Sequence, residues 1–123
     1  MVCLKVSGTV TINGTISANG GVASDPTAGR GTGGGSGGSV DIIAKLLTGT
    51  TGVISLNGGA GLGGGGGGGG GRIRIAGYDW SSQTRLFGGA ITVAGGSGTA
   101  SGSPGTIFYY MPPPPRGTVV YFK

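Results

Sequence analysis

The sequence predicts an all-β chain, a parallel β-helix or related β-solenoid of about four rungs. Three observations lead there. Short alternating apolar runs recur along the chain. The distance from one kind of run to the next is nearly constant. Most of the glycine, which makes up 34 of the 123 residues, falls at the same phase of each repeat. Self-similarity at a period of a few tens of residues is the mark of repeat architectures.

The first kind of run is Val2-Cys3-Leu4-Lys5-Val6, then Val40-Asp41-Ile42-Ile43-Ala44, Ile73-Arg74-Ile75-Ala76-Gly77 and Ile107-Phe108-Tyr109-Tyr110-Met111. Period-two alternation gives each run one apolar face and reads as a strand. The faces align as Val2, Leu4, Val6 with Val40, Ile42, Ala44, with Ile73, Ile75, Gly77 and with Ile107, Tyr109, Met111. The second kind opens Ile16-Ser17-Ala18, Ile54-Ser55-Leu56 and Ile91-Thr92-Val93, starting 38 and 37 residues apart. Its fourth member is Val119-Val120-Tyr121-Phe122. Val2 to Ile16, Val40 to Ile54 and Ile107 to Tyr121 each span 14 residues, whereas Ile73 to Ile91 spans 18. The four extra residues fall in the polar stretch 78–85 and read as a longer surface loop. Each unit is thus strand, short turn, strand and glycine-rich return. The units are about 1–38, 39–71, 72–105 and 106–123 of one repeat domain. One isolated strand cannot bury its apolar face, but stacked equivalents can. Connections far longer than a hairpin turn favour parallel pairing.

The returns are 20–38, 58–71 and 95–105, and residues 63–71 are nine consecutive glycines. Three readings stand beside one another. The run is a flexible coil linker. Or it is an ordered extended helix of the polyproline II type, here polyglycine, whose neighbours supply its hydrogen-bond partners. Or the glycines of 29–38 cradle a phosphate, although no Gly-Lys-Ser/Thr ending and no helix follow.

Composition removes most chemistry. There is no histidine, and the acids are Asp25, Asp41 and Asp79 alone. No Ser-His-Asp or Cys-His pair and no His-ligated metal is available, and the carboxylates are not clustered as a glycosidase or calcium site needs. No enzymatic role, cofactor or metal is expected. A lone Cys3 forms no internal disulfide. Apolar runs of four to six residues span no membrane as helices, and 1–6 is too short for a signal peptide. The net charge of +5 is scattered, so nucleic acid is not an expected partner.

The outward positions of the first strands form a row Cys3, Asp41, Arg74, Phe108 beside a row Lys5, Ile43, Ala76, Tyr110. Asp41 and Arg74 are a candidate cross-rung ion pair. Ile43, Phe108 and Tyr110, with Trp80 in the inserted loop, are candidate lateral contacts. Trp80, Tyr78 and Arg85 together also suit stacking on a sugar or a base. Pro112 to Pro115 reads as a stiff spacer. Asn13-Gly14-Thr15 is both a glycosylation sequon and a good turn. Thr9-Val10-Thr11 is a threonine pair of the ice-binding kind that later units do not repeat.

A solenoid needs polar caps to keep its end rungs from pairing. This chain reads as uncapped, with Val2, Leu4 and Val6 at one end and Tyr109, Met111, Val119, Tyr121 and Phe122 at the other. A head-to-tail contact between such ends does not close and grows into a fibre.

The phrases at 14–21 (Gly-Thr-Ile-Ser-Ala-Asn-Gly-Gly), at 34–42 and at 71–75 (Gly-Arg-Ile-Arg-Ile) resemble the glycine-rich repeat segments of large secreted or cell-surface proteins, adhesin-like and gliding-motility-associated. The resemblance covers about residues 14–98. It implies a β-solenoid with an extracellular structural role and no catalytic residues. The expected function is a structural subunit that self-assembles head-to-tail into an extracellular filament or surface appendage, its partner a further copy of itself. The alternative is an adhesin or tail-fibre segment, or an ice- or glycan-binding module, with glycans or another surface protein as partner.

Overall fold

The computed structural model describes residues 1–24, 30–77 and 87–111. Among them there is no helix; every regular element is a strand. The strands are β1 (Val2–Thr11), β2 (Thr15–Ser17), β3 (Ser39–Thr48), β4 (Val53–Ser55), β5 (Arg72–Gly77), β6 (Ala90–Thr92) and β7 (Thr106–Tyr110). They form two sheets, ordered β1-β3-β5-β7 and β2-β4-β6, and every strand pair is parallel.

Register follows the apolar alternation. Val2 pairs with Val40, Val40 with Ile73 and Ile73 with Ile107; Leu4, Ile42, Ile75 and Tyr109 form the next row. In the smaller sheet Ile16, Ile54 and Ile91 are in line. A one-residue slip would turn every apolar side chain outward, so burial of one face fixes the register. The core lies where the two sheets face. Ile42, Ile54, Leu56 and Ile73 are its fully buried large side chains. Val10, Ile12, Val40, Ala44, Ile75 and Phe87 complete it, with Ile16, Leu47, Ile91 and Val93 among those packed against them.

The first strand of each early unit is longer than its alternating run. β1 and β3 continue through Val10–Leu47 and Thr11–Thr48, past a register irregularity between Val6 and Thr9. The segments Thr9-Val10-Thr11 and Leu46-Leu47-Thr48 are β-branched or apolar and go on pairing where a turn is expected. The corner between the sheets is correspondingly tight. Gly49 sits there at φ 126°, and a Cβ on it would meet the Ile12 carbonyl oxygen. Only glycine takes both that dihedral and that approach. Asn13 serves the same corner, its Oδ1 accepting from the Thr50 N–H at 3.2 Å.

The glycine-rich returns are hydrogen-bonded to one another, so the coil-linker reading does not hold for the described residues. Donors and acceptors in 64–71 follow a three-residue rhythm. Gly65, Gly68 and Gly71 donate to the carbonyls of Leu62, Gly59 and Leu56. Gly67 and Gly70 donate to Ala100 and Ser103, while the carbonyls of Gly66 and Gly69 accept from Gly34 and Gly37. The carbonyls of Gly65 and Gly68 accept from Thr99 and Gly96. One glycine segment therefore bonds to four neighbours.

Residues 25–29, 78–86 and 112–123 lie outside the described residues. With them fall the expected loop at 78–85 with Trp80, the acids Asp25 and Asp79, the spacer 112–115 and the fourth second-kind strand with Val119, Tyr121 and Phe122.

Candidate functional site

Among the described residues, β1 and β7 are the edge strands of the larger sheet. Apolar exposure concentrates on them. Among the described residues, all the exposed large hydrophobics except Val22 and Leu62 are Met1, Val2 or members of the row Ile107, Phe108, Tyr109, Tyr110, Met111. On the inner strands β3 and β5 the apolar rows are closed: Ile42 and Ile73 are fully buried. The difference arises from position, since each inner rung is covered on both sides and an edge rung on one. Parallel sheets are ordinarily buried elements, and an exposed apolar strand at a sheet edge is a place where another strand can add.

Of the expected assembly residues, Val2, Tyr109 and Met111 are exposed, and Leu4 and Val6 are half-buried against the core. Val2 with its row lies at one edge of the sheet, Tyr109 and Met111 at the other. Val119, Tyr121 and Phe122 lie outside the described residues. Of the expected lateral contacts, Phe108 and Tyr110 are exposed on one face of β7, their rings 6.3 Å apart and near-parallel at 16°. Ile43 is half-buried in β3 and Trp80 lies outside the described residues.

The outward face carries the expected ion pair. Asp41 and Arg74 are register partners, and Arg74 donates through Nε to Asp41 Oδ1 at 2.8 Å and through Nη2 to Oδ2. The fork-to-fork geometry suits guanidinium and carboxylate. The hydrogen bond from Arg74 holds the Asp41 carboxyl below its ordinary value; its charge adds to that, and slight burial opposes it. Beside the pair runs a shallow groove of about 280 Å³ lined by Met1, Ser39, Val40, Asp41, Arg72, Ile73, Arg74, Thr106 and Phe108.

A polar ladder that the sequence reading does not single out runs along the smaller sheet. Asn19 Oδ1 accepts from the Asn57 N–H at 2.7 Å and from Ser55 Oγ at 2.8 Å. One rung on, Asn57 Oδ1 accepts from the Ala94 N–H at 2.8 Å, and Thr92 Oγ1 donates to Ser55 Oγ at 3.3 Å. Its signal is the Asn of the Asn-Gly-Gly phrases at 19–21 and 57–59, which returns at the repeat period.

Among the described residues no group of three or more His, Cys, Asp or Glu side chains is placed to hold a metal ion. No helix there is long and apolar enough to cross a membrane. Cys3 is a free, exposed thiol in β1. Comparison with known proteins finds no family model, no curated protein and no solved structure that matches the chain.

Proposed function

We propose that the chain is a structural subunit that assembles head-to-tail, rung upon rung, into a filament or surface appendage outside the cell. In this reading the two parallel sheets are successive faces of a β-solenoid. The hydrogen-bonded glycine returns form a polyglycine II-type layer beside it, which the three-residue rhythm of donors supports. The observation that carries the reading is the concentration of exposed apolar side chains on the two edge strands β1 and β7. Open edges of matching direction at opposite ends form a heterologous contact, which propagates rather than closes. The extracellular setting comes from the resemblance to repeat segments of large surface proteins.

Light scattering over a wide concentration range, with negative-stain images of the same samples, tests the reading. Growth of mass with concentration and unbranched fibres are expected. A chain that stays monomeric throughout would overturn it.

The second reading is a glycan-binding module. It is favoured by the groove beside Arg72, Arg74 and Phe108, where an exposed aromatic ring adjoins two guanidinium groups. Saturable binding of an oligosaccharide by a chain that remains monomeric would place that reading first.

A further inference from the structure

We infer that the contact between copies is one more in-register parallel strand pair, β7 of one copy against β1 of the next, specified by Lys5 lying over the ring of Tyr110. The inference rests on the head-to-tail reading above and adds its polarity, its register and the residues that select them.

The register is the first support. Across three successive pairings of the larger sheet the same rows are kept: Val2, Val40, Ile73, Ile107 inside and Cys3, Asp41, Arg74, Phe108 outside. The third row runs Lys5, Ile43, Ala76, Tyr110. Extending the rule by one rung puts Val2 of the next copy on Ile107 and Leu4 on Tyr109. On the outer face Cys3 then falls beside Phe108 and Lys5 beside Tyr110.

The side chains available at that rung are the second support. The β7 edge presents a bulky, near-parallel aromatic pair, Phe108 and Tyr110, both exposed. The β1 edge presents the small Cys3 and the exposed cation Lys5 on the same outward rows. An ammonium group over an aromatic face is attracted by the ring quadrupole. A small side chain opposite Phe108 leaves its ring room. Pairing of two β7 edges would instead be antiparallel, against the direction of every strand pair in the sheet, and would set aromatic rows against each other without a cation. Slipping by two residues along the strand would place Lys5 opposite Phe108 and leave Tyr110 without its partner; slipping by one would turn the inner row outward.

Native Cys3 makes the register measurable. Neighbouring strands lie about 4.8 Å apart, so within one copy Cys3 and residue 108 are separated by roughly 14 Å, three strand spacings. A thiol-specific cross-linker that reaches about one spacing joins Cys3 to residue 108 only between copies. The Phe108→Cys chain should give a ladder of covalent multimers, at a rate about tenfold or more above Thr106→Cys and Tyr110→Cys. The double variant Cys3→Ser/Phe108→Cys should give none. A second pair of variants does not depend on Phe108: Lys5→Glu should raise the concentration needed for assembly at least tenfold, and Lys5→Glu with Tyr110→Lys should restore it through a swapped ion pair. If light scattering shows assembly but cross-linking is fastest at 106 or 110, or the Cys3→Ser/Phe108→Cys chain still cross-links, the register proposed here is wrong and the head-to-tail function stands. Assembly indifferent to Lys5→Glu likewise overturns the Lys5–Tyr110 pair. A chain that stays monomeric overturns both.

Discussion

Asn19 Oδ1 accepts at once from the backbone N–H of Asn57, at 2.7 Å, and from the hydroxyl of Ser55, at 2.8 Å. A single side-chain oxygen thereby joins one rung to the next at the point where the second strand passes into the glycine segment. Asn57 repeats the contact on Ala94. The Asn57→Ala variant loses both its bond to Ala94 N–H and its own donation to Ser55 Oγ. The site is part-buried, so about 1–2 kcal/mol of stability should be lost. Urea titration followed by far-ultraviolet circular dichroism measures it; an unchanged midpoint would show that water replaces the ladder at no cost.

The glycine layer makes a sharper prediction, because neighbouring glycines in one run differ in their surroundings. A Cβ on Gly68 would fall on the Gly35 carbonyl oxygen, whereas a Cβ on Gly69 would stand 3.7 Å from Ser103 O, in ordinary contact. Gly68→Ala should destabilise by about 1–3 kcal/mol, since a backbone must move to admit the methyl. Gly69→Ala should be neutral or stabilise by up to about 1 kcal/mol by restricting the unfolded chain. Thermal melts of the two variants check the pair, and equal behaviour would contradict the packing described.

The ion pair on the outer face gives a pH dependence with a definite sign. The carboxyl of Asp41 is held below its ordinary value of 3.8, chiefly by the hydrogen bond from Arg74. A carboxyl whose folded-state pKa is depressed contributes stability above its unfolded value, and loses that contribution as pH falls through the folded one. Both side chains are partly exposed, so the contribution is under about 1 kcal/mol. Arg74→Gln should therefore melt slightly below the parent at pH 7, and the difference should close below pH 4. A gap that stays constant into acid would assign the loss to packing of the Arg74 stem.

In the core, Ile54 of the smaller sheet is fully buried, while Ile107, on the edge strand of the larger sheet, is 38 % exposed. Ile54→Ala should cost about 2–5 kcal/mol, transfer and cavity terms together. Ile107→Ala should cost a smaller part of that in the dissociated chain. Comparable losses measured by chemical denaturation under dilute conditions would show that the β7 edge is covered in the single copy.

The strands and their register were legible because alternation and repeat spacing act together: Val2, Val40, Ile73 and Ile107 can be aligned from the sequence, and the sheet pairs them. The Asp41–Arg74 pair was legible for the same reason, two opposite charges on one outward row. The length of β1 and β3 was not. Thr9-Val10-Thr11 lies between two recognisable runs, and nothing local distinguishes a continued strand from a turn until Leu46-Leu47-Thr48 is seen beside it. The bonding of the glycine segments was beyond the sequence, because glycine has no side chain to mark which way each peptide points. The Asn19–Asn57 ladder was hidden in a phrase that reads equally well as turn chemistry, and only the pairing of whole rungs reveals which atoms meet.

The partners bonded between one rung and the next stand far apart along the chain: Ala18 with Ser55, Gly20 with Asn57, Ala23 with Ala60, Leu56 with Thr92. Almost nothing in the fold is local. Within one unit the return bonds back on the second strand, as Gly38 does on Ala18 and Gly71 on Leu56, but the first contact between rungs must close a loop of some 37 residues, as between Ala18 and Ser55. Such a topology folds slowly, by its high contact order, but once two rungs have met each further one adds to a template already in place. In the proposed filament, folding of the chain and growth by further copies would be the same elementary event, a rung settling on the edge of the one before it.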